Sequence, residues 1–215
     1  MPSPFTPKQQ AEQLRKPYGE GAEAIAAYMR ELNGALYAHV VKLLLPEKEK
    51  QLLEIGFGEG LVPEILYRQN KSLHYNGIDF SEEMVAMAAS KNIPGARFLL
   101  GEVAAMPFAD QTFDVCFGIN VVYFWENPEK ELAEIIRVLK PGGMLMLGYR
   151  PKTYMQAIPF TQFGFTLYEI SDLEEFLTKH GFENITTQTE EEPDRIIAGK
   201  IQPMQHAVIE AYKPG

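Results

Sequence analysis

The stretch LLEIGFGEGLVPEIL, from Leu52 to Leu66, passes from an apolar run through three alternating glycines into a helix-like segment. The solvated charges of EKEKQ lead into LLEI, the profile of a first buried parallel strand. The spacing then predicts a helix from about Leu61 to Arg68. Gly56, Gly58 and Gly60 remove side chains where a ligand would lie against the backbone, and they leave amide donors at a helix N-terminus. Glycine here also serves a tight reversal and close packing without any ligand. A dinucleotide fingerprint would need Gly or Ala at the position of Leu61, and no G-x-x-x-x-G-K-[ST] run occurs, so the turn fits neither NAD nor a phosphate-cradling loop.

Outward from this turn the pattern repeats. HYNGID reads as a second strand, Ser81 caps a helix with Glu82 and Glu83 in its first turn, and ARFLLG reads as a third strand. TFDVCFGI is the fourth. After Asn127-Pro128, Leu132, Ile135, Ile136 and Leu139 share one helical face, and Pro141-Gly142-Gly143 turns the chain into the strand GMLMLGY. Alternating strands and helices imply a parallel sheet.

Upstream, Gly21 to Leu45 reads as one helix, with Leu36, Val40, Leu43 and Leu44 on one face and Pro46 as its stop. Downstream, Arg150 to Tyr168 is a long aromatic-rich connection of the kind that forms binding loops. Ser171 and Glu174 are expected to form a capping box for a short helix bearing Leu173, Phe176 and Leu177. FENITTQTE and MQHAVIEAY read as two strands separated by the polar segment EEPDRIIAGKIQP. With no helix between them they must pair antiparallel.

The chain's 215 residues suit one core, and 29 acidic against 20 basic residues leave a net charge of −9. That balance disfavours nucleic acid and anionic membranes as partners. One cysteine, Cys116, excludes an internal disulfide, and four scattered histidines show no zinc spacing, so no metal is expected. The N-terminal segment lacks the apolar core of a signal peptide, and Lys42 interrupts VVKLLL well short of a span. A cytoplasmic protein is expected.

The turn resembles the E-x-G-x-G-x-G motif of class I S-adenosylmethionine-dependent methyltransferases, here Glu54, Gly56, Gly58 and Gly60, with Phe57 between. GIDFSEEM is similar to the family's second motif. The resemblance implies that Asp79 accepts hydrogen bonds from both ribose hydroxyls, with Phe80 and Met84 beside it; the bland alternative for Asp79 is a helix-initiating aspartate before Ser81. GEVAAMPFADQTFDVCFGINVVYF is similar to the third and fourth motifs, with Glu102 where Asp is commoner. It implies that Glu102 faces the adenine amino group, that Val103 presents its amide to the ring, and that Asn120 and Val121 border the methionine part. RVLKPGGMLMLGYR matches the helix and fifth strand that follow.

The resemblance covers about Leu52 to Tyr149. It implies a Rossmann-like α/β fold: a seven-stranded, mostly parallel sheet of order 3-2-1-4-5-7-6, strand seven antiparallel, flanked by helices. One methyltransferase domain, 1–215, is expected, with an N-terminal helical lid region (1–46), a cofactor-binding core (47–150), a substrate-side connection (151–170) and a C-terminal helix and strand pair (171–215). The cofactor implied is S-adenosylmethionine, with S-adenosylhomocysteine as product; a homodimer is left open as the assembly.

Since this cofactor carries its own activated methyl, the protein mainly has to align a nucleophile, and no catalytic residue is assigned. His39, His74, His180 and His206 each read as structural or exposed. Tyr18 is the preferred lid residue, while Tyr123, Phe124, Trp125, Tyr149, Tyr154, Phe160, Phe163 and Phe165 either line an apolar acceptor pocket or pack the core. GINVVYF lacks the N-P-P-Y or D-P-P-Y of base-amine methylation, and one cysteine does not serve arsenic methylation. A small-molecule acceptor is therefore expected. The alternatives are a non-catalytic cofactor-binding or interaction module of the same fold, and an NAD-dependent oxidoreductase.

Overall fold

The computed structural model describes residues 5–45, 50–69, 71, 74–197 and 199–215. Its strands are β1 (Gln51–Ile55), β2 (His74–Asp79), β3 (Ala96–Leu100), β4 (Phe113–Ile119), β5 (Leu139–Tyr149), β6 (Glu183–Ile197) and β7 (Lys200–Tyr212). They form one sheet of order β3-β2-β1-β4-β5-β7-β6. The first five are parallel, whereas β7 runs antiparallel to β5 and to β6. This is the expected topology, including the reversed strand.

Burial explains why β1 and β4 read as continuous apolar runs. Leu53, Ile55, Cys116, Leu145 and Leu147 join one core on one face, packed with Leu132 and Ile135 of α6 (Pro128–Val138) and with Leu173 and Leu177 of α8 (Ile170–Lys179). Leu52, Val115, Phe117 and Met146 join a second core with Leu36, Val40 and Leu44 of α3 (Gly34–Leu44) and Val62 and Leu66 of α4 (Leu61–Gln69). Each such side chain, fully withdrawn from water, contributes about 1.5–3 kcal/mol. Gly148 lets α3 come close: a Cβ there would meet Val40 Cγ2 at 2.9 Å and Leu36 Cδ1 at 3.1 Å. Ser81 caps α5 (Glu82–Ser90) by accepting the Met84 N–H, and Asn127 caps α6 by accepting that of Lys130.

Three expectations need correction. The segment read as one helix is two, α2 (Gly21–Leu32) and α3, because at Asn33 the backbone leaves helical geometry at φ −105° and ψ 10°. Pro46, read as its stop, lies outside the described residues, as does the start of the charged lead into β1. The N-terminal region also carries a further helix, α1 (Pro7–Arg15), with a Thr6/Gln9 capping box and Pro7 in its first turn. The box on α8 is Glu169 with Asp172 rather than Ser171 with Glu174, since the helix begins at Ile170 and Ser171 already sits in its first turn; Glu174 accepts the Thr187 hydroxyl instead. Finally, the polar segment between the last two strands belongs to them, forming a long hairpin whose register shifts between Glu192 and Arg195, beside Pro193. Among the described residues no helix is long and apolar enough to cross a membrane.

Candidate functional site

At the carboxyl ends of β1, β2 and β4 the sheet opens into a cavity of about 660 Å³, within the range of small-ligand sites. The glycine turn forms one wall, and its three glycines serve three different needs. All have positive φ, +66°, +56° and +75° in order, a region costly for other residues. A Cβ on Gly56 would stand 2.4 Å from Val121 Cγ1, so Gly56 admits the exit of β4. Gly60 lies off the cavity and admits α5, with Ala88 Cβ 2.9 Å from where its own Cβ would be. Gly58 faces open space on the cavity wall. It is the position where backbone is bared to a ligand.

The Gly58 N–H donates to Asp79 Oδ2 at 2.9 Å, and the Ser81 N–H donates to Oδ1 at 3.0 Å. Burial pushes the Asp79 carboxyl up; the amides of Ser81, Gly58 and Phe80 oppose this. Below it, Glu54 is fully buried and accepts the Tyr75 hydroxyl. Burial also holds the Glu54 carboxyl well above its ordinary value, against the pull of that bond. Two carboxyls thus border the cavity at different depths, the deeper one more strongly desolvated.

Across from them, Asn120 leaves β4 at φ +58°, a left-handed conformation that Asn tolerates, and its N–H donates to the Gly148 carbonyl at 2.8 Å. The chain then makes a 3₁₀ turn at Val122–Phe124. Tyr123 pins that turn to the next strand: its hydroxyl accepts the Arg150 N–H at 2.6 Å and donates to the Arg150 carbonyl at 2.9 Å. Phe165 packs on Phe124 and Phe160, with ring centroids at 4.6 and 5.5 Å. Among the described residues three buried polar atoms lack hydrogen-bond partners, the Trp125 indole Nε1, Glu131 Oε2 and the Tyr149 hydroxyl, and all three are closed off from the cavity as well as from solvent. Glu131's other oxygen accepts the N–H groups of Glu126 and Asn127.

The cavity brings together most of the sequence-predicted site residues: Glu54, Gly56, Phe57 and Gly58; Asp79, Phe80 and Met84; Glu102 and Val103; Asn120 and Val121; and the aromatic Tyr123, Phe124, Trp125, Phe160 and Phe165. Tyr18, expected as a lid, is half exposed and off the wall, which Leu14 to Pro17 form in its place. Tyr149, Tyr154 and Phe163 are also off the wall: Tyr149 is core, Tyr154 packs against the core, and Phe163 is largely exposed.

Sequence reasoning missed Asn33, Tyr37, Glu131 and Arg150, which also line the cavity. Arg150 donates to Glu192, to Asn33 Oδ1 at 2.6 Å and to the Leu32 carbonyl at 3.0 Å. Burial raises the Glu192 carboxyl, but bonds from His206 and Arg150 prevail and hold it at about 2. The only signal in the sequence was a buried-strand register that ends on an arginine.

Residues 53–147 match the family described as a methyltransferase domain. An uncharacterized methyltransferase of Bacillus subtilis, YdaC, is 30% identical over 166 residues, covering 76% of this chain and 89% of that protein. The phthiotriol/phenolphthiotriol dimycocerosates methyltransferase 1 of Mycobacterium ulcerans is 32% identical over 98 residues, 45% of this chain and 36% of that larger protein. Among solved structures, a SAM-dependent methyltransferase from Thermotoga maritima superposes with a TM-score of 0.68 at 23% identity, covering 90% of this chain and 97% of its own. The chain belongs to the class I S-adenosylmethionine-dependent methyltransferases.

Proposed function

We propose that this enzyme uses S-adenosylmethionine, releasing S-adenosylhomocysteine, to methylate a small molecule with an apolar body and one hydrogen-bond donor, a hydroxyl or an amine. The donor set fits the cofactor. Asp79 offers carboxylate oxygens for ribose hydroxyls, Glu102 and Val103 for the adenine edge, and Gly58 presents bare backbone to the cavity where a Cβ would intrude. When bound, the cofactor supplies a methyl activated on its sulfonium.

One observation carries the acceptor class. The half of the cavity beyond Val121 is lined by the aromatic side chains of Tyr123, Phe124, Trp125, Phe160 and Phe165. Such rings take an apolar body and shed the water around it. They would hold that body beside the cofactor's methyl and exclude water, so that the accepting oxygen or nitrogen is aligned with it. The names of mycobacterial relatives, among them a fatty-acid O-methyltransferase, agree with an apolar acceptor.

The test is calorimetry with S-adenosylmethionine, S-adenosylhomocysteine and NAD, followed by transfer of labelled methyl to a panel of long-chain acids, phenols and amines. Binding of both adenosyl ligands, with label entering an apolar hydroxyl or amine compound, is the expected result. Binding of NAD alone would overturn the cofactor assignment. Label entering only protein or nucleic acid would overturn the acceptor class.

A further inference from the structure

On the α3 side of the sheet, away from the glycine turn, two histidines and a glutamate converge. His39 of α3 and His206 of β7 are buried, at 4% and 0% exposure, and their Nδ1 and Nε2 atoms lie 3.1 Å apart. Glu190 of β6, paired in register with His206, brings its carboxylate to 3.8 Å from His39 Nδ1 and 3.9 Å from His206 Nε2. Among the described residues this is the one group of three or more such side chains whose donor atoms converge within 4.8 Å.

We propose that His39, Glu190 and His206 form a binding site for a divalent transition metal ion of the zinc class. Bonds of about 2.0–2.2 Å in a tetrahedral arrangement separate donor atoms by roughly 3.3 Å, and the observed separations bracket that distance. Two imidazoles and a carboxylate suit Zn²⁺, Ni²⁺ or Cu²⁺ rather than Mg²⁺ or Ca²⁺. The half-exposed Glu190 side chain leaves a path from solvent, from which a water would come as fourth ligand.

The surroundings of His206 match those of a metal ligand. Its Nδ1 sits 3.0 Å from Glu192 Oε1, so Nδ1–H donates there and the lone pair of Nε2 is turned towards His39 and Glu190. Such a carboxylate partner fixes the tautomer and orientation of a ligating imidazole. In the metal-free protein Nε2 accepts the His39 Nδ1–H. Metal uptake replaces that hydrogen bond: the His39 proton passes through solvent to its own Nε2, Nδ1 turns its lone pair to the ion, and no net proton is released. Glu192 also holds Arg150 on the cavity wall. The ion would therefore clamp α3 to the β6–β7 hairpin directly behind that wall.

The test uses untagged, full-length protein stripped with EDTA and desalted. Titration with ZnCl₂ should give one ion per chain and a rise in melting temperature, Co²⁺ should give visible absorption of a low-coordinate site, and MgCl₂ should do neither. Glu190→Gln changes a half-exposed side chain and leaves the metal-free melting temperature in place; it should weaken zinc uptake by more than roughly tenfold, since even an outer partner's loss costs about 10–100-fold. His206→Gln should abolish uptake. No stoichiometric zinc binding, or equal uptake by Glu190→Gln and the unaltered protein, would overturn the site and leave a hydrogen-bonded histidine pair.

Discussion

The Asp79 carboxylate, at the end of β2, accepts the backbone N–H of Gly58 at 2.9 Å, tying the two halves of the candidate cofactor site to one another. Asp79→Ala should weaken S-adenosylmethionine binding by more than tenfold, measured by calorimetry, because it removes the proposed ribose acceptor. It should also cost about 1–3 kcal/mol of stability, as the Gly58 and Ser81 amides lose their partner. Unchanged affinity would refute the ribose assignment.

Gly56 and Gly58 should respond differently to alanine. Gly56→Ala drives a methyl into Val121 Cγ1 and adds positive-φ strain, so it should lower stability by about 2–4 kcal/mol as strain and overpacking combine. Gly58→Ala meets open space, leaving only the left-handed backbone cost of about 1–2 kcal/mol. Its larger effect should fall on cofactor affinity. Denaturant melts paired with calorimetry would separate the two, and equal affinity loss at equal stability would contradict this division.

Glu192→Gln should remove about 3–5 kcal/mol at pH 7, since it leaves buried Arg150 without its carboxylate. The folded-state value of Glu192, about 2, lies below the ordinary 4.5. Its contribution is therefore full above pH 4.5 and is lost as pH falls from there towards 2. Urea unfolding across that window should show the variant and the unaltered protein converging in stability; a constant gap would count against the depressed carboxyl.

Cys116 lies on β4 at 0% exposure, and burial pushes its thiol up, away from the reactive thiolate. A thiol reagent such as DTNB should leave the folded protein unlabelled for as long as it stays folded and label one thiol per chain in denaturant. Prompt labelling under native conditions would show that the core around β4 opens.

What could be read from the sequence was whatever rests on neighbours along the chain. The apolar run before Gly56, the Ser81 and Asn127 caps and the aspartate at a strand end all act within a few residues, so the parallel core and the glycine wall were legible. The split at Asn33 was not: a helical hydrophobic period continues across it, and only the Arg150 guanidinium, 117 positions away, shows why an amide belongs there. The same applies to His39, Glu190, Glu192 and His206, whose spacing says nothing until the β6–β7 register and the approach of α3 over Gly148 bring them together. Tyr18 rested on the resemblance, which implies an N-terminal residue over the cofactor; the backbone turns its neighbours Leu14 to Pro17 inward instead.

The end of α1 and the segment after it are held over the strand ends by a few polar attachments: the Ser81 hydroxyl donates to the Pro17 carbonyl, Gly19 N–H to Glu83 and Tyr18 N–H to Gln13, and Arg15 pairs with exposed Glu126. Breaking them leaves every sheet ladder intact. Such a segment belongs to the low-stability end of the molecule, where local opening is far cheaper than unfolding. Amide exchange at Tyr18 and Gly19 should then run orders of magnitude ahead of exchange in β1 and β4. Its rate would be the natural clock for ligand exchange, with the sheet itself taking no part.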